Sequence, residues 1–425
     1  MKHNFRILIG VLLFAIPLCM NAQVKPVKPN QNPDKAKVEQ EEKKKAEKEQ
    51  REKEKREKKE AKGGLEMPKL SGFVQGMYQA NLDESGKLLD GDKSSTFRMR
   101  RVRLSVDGTL FKGLTYKIQG DFSRSPMLVD AYLKYKVCDE FAIQMGQFKT
   151  PFSIESPINP VNLEVFDYGE GIQKLVGYGD VCGVGGLGRD IGLMATGNLF
   201  PVKGEEGVDY HIVTYALGVF NGNGPTTTDS DNHKDIAGRL EVHPGLKNLT
   251  LSGSYYNGHY TNKTVDAEIN DLIKGTVAFG EEPSLDKFGH GTRNRWSAGL
   301  QYNDGALVIR GEYLSGVTGL QNLTIDTLND VSCTETSINS RGYYAEAGYY
   351  FKFGKEGKEQ KLMPVLRYEN FTKDTSIEKG GTNWYTVGIN YWPLKSVNFK
   401  LDYSLVQKES GGNSHRIVGI LSYKF

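Results

Sequence analysis

Cysteine is scarce in this 425-residue chain, with 4 in all, and proline contributes only 15. Three cysteines, Cys138, Cys182 and Cys333, follow the first twenty-two residues, and an odd number excludes a complete disulfide framework. Either one Cys182–Cys333 bridge links two outer loops or the three stay unpaired. Long apolar runs are lacking too. Beyond Ile7–Leu18 no stretch of roughly 18 apolar residues occurs, which excludes a bundle of membrane-spanning helices. A large charge excess is absent. Lys and Arg total 55 against 52 Asp and Glu, a net of +3, too little for a protein that neutralises many phosphates, so nucleic acid is not an expected partner.

Signatures of chemistry are missing as well. His211, His233, His243, His259, His290 and His415 are scattered singly, with no HxxxH or CxxC spacing for a metal. No G-x-S-x-G elbow is present. Gly183–Gly188 is glycine-rich but lacks the Lys-Ser/Thr that would grip a nucleotide phosphate, and reads as a hinge. Ser414 and His415 are strand neighbours and point to opposite faces, so they form no nucleophile–base pair. The expectation is a protein without catalysis, metal or cofactor.

What is present is Gly (49), Tyr (22) and a layered organisation. Lys2, His3 and Arg6 precede the apolar stretch Ile7–Leu18, and Ala22 offers a cleavage point before Gln23, so 1–22 reads as a secretory signal. Residues 23–34 carry Pro26, Pro29 and Pro33 and read as a disordered linker. Residues 35–62 are almost purely charged, with Glu39/Lys43, Glu47/Arg51 and Glu54/Lys58 among the i,i+4 pairs that support a solitary helix. This segment is expected in the periplasm as a helix or tether, with the cell wall as a candidate contact.

The remainder, 63–425, alternates. In Val397–Gln407, Val397, Phe399, Leu401, Tyr403 and Leu405 oppose Asn398, Lys400, Asp402 and Ser404. Period two with one apolar face signals a strand. About sixteen such segments occur, an even number as single-chain bacterial barrels require. Their connections alternate between short (Phe111-Lys112, Cys138-Asp139, Asn303-Asp304) and long (81–96, 149–188, 261–292, 317–340), with one tight exception near Ser125-Pro126. A soluble sandwich has no reason to follow that parity, and the chain ends on Phe425. The expected fold is all-β: a transmembrane antiparallel up-and-down β-barrel in the outer-membrane lipid of a Gram-negative bacterium. The mean hydropathy of −0.49 is compatible, because a barrel strand is apolar on one face only.

Four motifs carry a resemblance: Arg100-Arg101-Val102-Arg103-Leu104-Ser105-Val106-Asp107-Gly108-Thr109-Leu110, then Val129–Tyr135, then Gly146-Gln147-Phe148-Lys149-Thr150-Pro151-Phe152-Ser153-Ile154-Glu155, then Gly188-Arg189-Asp190-Ile191-Gly192. Together they resemble the phosphate-selective porin O and P family in its Bacteroidetes form, over roughly 70–425. The resemblance implies a sixteen-stranded, trimeric outer-membrane channel whose third outer loop folds inward as a constriction. The length of 149–188 and its apolar residues Phe152, Ile154, Leu163, Val165, Phe166 and Leu175 agree, since they need a wall to pack against.

A pore selects by width and lining charge. The candidate anion-binding residues are Arg101 and Arg103 on the wall, Lys117 and Lys134 on the following strands, and Lys149, Lys174 and Arg189 in and beside the loop. Arginine suits the task because its fork holds a phosphate or carboxylate through paired bonds. Glu155, Glu164 and Asp167 are the candidate acids of the constriction. Two readings of the arginines stand. They serve solutes, or they neutralise wall carboxylates, with Arg103 beside Asp121 and Asp121 opposite Asp130. The expected function is passive diffusion of small hydrophilic solutes, mildly favouring anions and including phosphate. The alternative is a plugged barrel serving structure or adhesion.

Overall fold

A computed structural model describes residues 67–89, 94–203, 210–229, 232–245, 248–261, 290–327, 330–355 and 359–425. The segments expected as signal (1–22), linker (23–34) and charged helix or tether (35–62) lie outside the described residues.

The alternating segments fold into one antiparallel sheet of seventeen strands. They are β1 (Lys69–Leu82), β2 (Ser95–Phe111), β3 (Leu114–Asp121), β4 (Leu128–Lys136), β5 (Ala142–Lys149), β6 (Arg189–Val202), β7 (Tyr210–Phe220), β8 (Asp235–Val242) and β9 (Leu249–Thr261). Then follow β10 (His290–Asn303), β11 (Leu307–Thr327), β12 (Asp330–Tyr349), β13 (Phe351–Phe353), β14 (Gln360–Thr372), β15 (Gly381–Leu394), β16 (Val397–Lys408) and β17 (Asn413–Lys424). β13 continues β12 past Tyr350 and pairs with the same neighbour, β14, so the barrel has sixteen staves. β1 pairs with β17 on one side and β2 on the other, which closes the ring and leaves no edge strand. Gly72 N donates to Phe425 O at 3.0 Å, so the C-terminal residue belongs to that seam.

Strand parity sorts side chains as period two requires. On β16, Asn398, Lys400, Asp402 and Ser404 are buried inside, while Phe399, Leu401 and Tyr403 are exposed outside. An outer surface rich in exposed Leu366, Val387, Ile389 and Leu421 is stable only against lipid. The interior inverts the usual rule. It buries charge, and the third outer loop enters it to pair with that charge.

Three local features depart from strict alternation. β11 and β12 run well past the residues expected for them, so part of the outer connection expected over 317–340 is a two-stranded ribbon continuing the barrel wall. A register shift on β3–β4 sets Asp130 opposite Gln119, not opposite Asp121 as strict alternation predicts. On β1–β2, Gln75 pairs with Arg101 and Gly76 with Met99, so Arg100 is an extra residue. Such a bulge bends the strand and breaks its in/out parity. Arg98 and Arg100 then join Arg101 and Arg103 on the inner side.

Candidate functional site

The third outer loop leaves β5 at Lys149 and returns to β6 at Arg189. Its two ends are tied together, because Thr150 N donates to Gly188 O at 3.0 Å. Between them lie a 3-10 turn, Pro160–Asn162, and one helix, α1 (Glu170–Leu175). Phe152, Leu163, Tyr168, Ile172 and Leu175 are buried in a cluster with wall residues Phe220, Tyr256, Leu314, Tyr344 and Phe371. Phe152 stands edge-on to Tyr256 with centroids 6.4 Å apart. Close backbone approach places α1: a Cβ on Gly342 of β12 would lie 2.9 Å from the Gly171 Cα, so the helix sits against the wall without intervening side chains.

Polar contacts track the loop around the barrel. Ser153, in the left-handed region at φ 73°, donates its hydroxyl to Glu312 Oε2 at 2.8 Å, and Ile154 N donates to Oε1 at 3.1 Å. Glu155 meets Arg367 of β14 at 2.5 Å. Glu164 meets Arg310 of β11 at 2.9 Å, and Glu346 contacts both of these arginines. Asn390 of β15 donates to Glu164 O at 2.6 Å, and Lys400 of β16 to Val165 O at 3.3 Å. Phe166 packs on Met77, Val418 and Ile420, from the first and last strands. Asp167 meets Arg101 at 2.8 Å and also holds Arg100. Asp180 meets Arg295 of β10 at 3.0 Å.

The three expected constriction acids, Glu155, Glu164 and Asp167, are therefore buried, and each is bonded to a wall arginine. Burial opposes ionisation of Glu164, yet the Arg310 guanidinium holds its carboxyl below the ordinary range. Removing one partner of such a pair strands the other charge in a poor solvent, at a cost of about 3–5 kcal/mol.

The expected basic residues divide into two groups. Arg103 is bonded to Asp121 at 3.0 Å and Arg189 to Asp130 at 2.7 Å. Lys149 donates to Ile158 O at 3.1 Å and Tyr168 Oη at 2.9 Å, and so anchors the loop's first segment. Lys174 lies 3.8 Å from Glu170 on the more exposed side of α1. Lys117 and Lys134 face inward on β3 and β4, half-buried, with no ion pair among the described residues. The Cys182–Cys333 bridge does not form. Cys182 is a buried free thiol, pushed up to about 12 by burial beside Asp180.

A cavity of about 500 Å³ opens where the loop meets β2 and the turn after β3. Five arginines line it, Arg98, Arg100, Arg101, Arg103 and Arg124, against two carboxylates, Asp121 and Asp167. Gln173, Tyr178 and Ser123 add neutral donors. Arg98 is exposed and Arg124 half-buried, and neither has an ion pair among the described residues. Burial and the neighbouring Arg103 and Arg189 guanidinium groups lower the Arg124 pKa, while Asp121 opposes them. Arg98, Arg100 and Arg124 escape a strict alternation reading. The signal for the first two was nonetheless there, because apolar positions switch from Phe97 and Met99 to Val102, Leu104 and Val106, a change of parity that marks a bulge. Below the cavity, Lys117 and Lys134 extend the basic face along β3 and β4.

Among the described residues no group of three or more His, Cys, Asp and Glu side chains is placed to hold a metal ion.

Comparison with known proteins places this geometry. The family model described as phosphate-selective porin O and P matches residues 69–418. Among solved structures, the outer membrane channel DcaP of Acinetobacter baumannii superposes with a TM-score of 0.54 at 13% identity, over 85% of this chain and 98% of that one. OmpT, an outer membrane protein of Vibrio cholerae, gives 0.50 at 11% identity over 84% and 97%. At such identities the likeness is one of fold. No curated protein matches the sequence.

Proposed function

The chain belongs to the phosphate-selective porin O and P family, and from that premise we propose that this outer-membrane porin passes small hydrophilic anions, phosphate among them, along the basic face of β2–β4. One observation carries the reading. The loop carboxylates that would otherwise repel anions, Glu155, Glu164, Asp167 and Asp180, are each matched by a wall arginine, whereas the cavity holds five arginines against two aspartates. The surplus is positive where the loop leaves space. Guanidinium groups suit the role because they stay charged at every pH the cell meets and grip oxyanions through two parallel bonds. Lys117 and Lys134 continue the field inward as mobile point charges.

Planar-bilayer recording across a potassium chloride gradient tests this. Discrete steps whose reversal potential favours chloride, with inorganic phosphate reducing the current, are expected. A reversal potential favouring potassium would overturn the anion assignment, and folded protein that gives no steps would favour the plugged barrel.

We also infer a homotrimer. An apolar concavity on the outer wall, lined by Leu110, Ile118, Ala131, Leu133 and Met145, supports it, because neighbouring barrels pack through such faces. Cross-linking of the protein in mild detergent should give a ladder ending at three chains, and a ladder ending at one would remove this assignment.

A further inference from the structure

The anion cavity already contains an anion. Asp167 lies midway along the inward loop, with one carboxylate oxygen 2.8 Å from Arg101 and the other on Arg100. Two consecutive residues of an ordinary strand point to opposite faces and could not share one carboxylate. Here they do so because the bulge at Arg100 breaks the alternation. The arrangement has the form of a bound oxyanion: two guanidinium groups converging on two oxygens.

We propose that Asp167 is a tethered competitor for the arginine pair, which a permeating oxyanion must displace, and that it thereby sets the channel's affinity for phosphate. This rests on the reading of the cavity as the anion passage. Displacement is open to the side chain alone. Phe166 anchors the adjacent backbone against Met77, Val418 and Ile420, so the carboxylate can turn without the loop leaving its wall. The arginines remain competent to bind. Arg101 is also fixed by Gln75, whose Oε1 accepts from it at 3.2 Å. Arg100 is a quarter exposed, and its buried Nε–H has no partner, so one donor is unused while Asp167 is in place. Room is available, since the cavity of about 500 Å³ exceeds the ~30 Å³ share of a single water many times over. A resident carboxylate also keeps through-traffic fast. Arginines left bare would hold a phosphate tightly and block the pore, whereas an exchange of one anion for another is nearly balanced.

The test is phosphate block of chloride current through single channels of Asp167→Asn, Asp167→Glu and Asp107→Asn. Asp107 also faces the lumen, opposite Lys117, so its loss removes the same charge without freeing Arg100 or Arg101. Asp167→Asn should lower the half-blocking concentration of inorganic phosphate by roughly tenfold or more, the worth of one charge-assisted hydrogen bond. Asp107→Asn should shift it far less, and Asp167→Glu, which keeps a carboxylate on the pair, should stay near wild type. Equal effects from Asp167→Asn and Asp107→Asn would overturn the proposal, reducing Asp167 to a general lumen charge. If Asp167→Asn does not fold, as judged by heat-shifted electrophoretic mobility, Arg100→Gln decides. The proposal expects weakened phosphate block there, and unchanged block would overturn it. A wild-type channel that favours potassium would end the anion reading, yet would leave the contrast between the two asparagine variants still able to support or overturn the role of Asp167.

Discussion

Replacing Arg98, Arg100 and Arg124 together by glutamine removes the channel's chloride preference and raises the half-blocking phosphate concentration by roughly tenfold or more. The reason is local charge. These three are the cavity arginines left over once Asp121 is assigned to Arg103 and Asp167 to Arg101. After the change the cavity is neutral, and field focusing by its low-dielectric walls no longer concentrates anions at the entrance. The barrel should fold normally, because none of the three stands at the centre of a buried network. Reversal potentials in a salt gradient measure the result. An unchanged potential would mean that selection happens elsewhere, with Lys117 and Lys134 the next residues to alter.

Arg367→Ala should be the most damaging single substitution. Its guanidinium is bonded to Glu155 at 2.5 Å, Glu346 at 3.0 Å and Glu369 at 3.3 Å, and lies 4.1 Å over the Tyr344 ring. Alanine leaves Glu155 and Glu369 without their cation and Glu346 with Arg310 alone. A loss of about 3–5 kcal/mol is expected, read as a fall in the temperature at which the folded barrel loses its heat-shifted mobility. Glu155 also accepts from Gly169 N at 3.1 Å, so the damage reaches both ends of the loop segment that narrows the lumen. Surviving channels should show larger and noisier current steps. Normal stability with normal conductance would mean that water screens this network far better than its burial implies.

Most of the barrel was legible from residues such as Phe399, Leu401 and Tyr403, whose spacing states which face meets lipid. Strand existence follows from period two, and closure follows from an even count with no protected edge. Register did not follow. A single extra residue at Arg100 reversed the parity of Arg98, and the shift near Gln119 moved Asp130 away from Asp121 to its own partner, Arg189. The first leaves a trace in the sequence, the parity switch between Met99 and Val102, whereas the second is decided only by pairing between strands. The loop acids were identifiable as Glu155, Glu164 and Asp167, but their partners Arg367, Arg310 and Arg101 lie far along the chain and meet them only in three dimensions. The ribbon of β11 and β12 was missed because Thr, Ser and Asn carry no apolar alternation above the membrane.

The inward loop makes the filter a property of the closed ring. It is made from the middle of the chain, yet its contacts belong to both ends: Asp167 to β2, Glu155 to β14, the carbonyls around Val165 to Lys400 on β16, and Phe166 to Val418 and Ile420 on the final strand. The constriction is therefore held jointly by strands from both ends of the sequence. The seam where β17 meets β1 is also where Phe166 lodges, so one junction both closes the ring and steadies the filter.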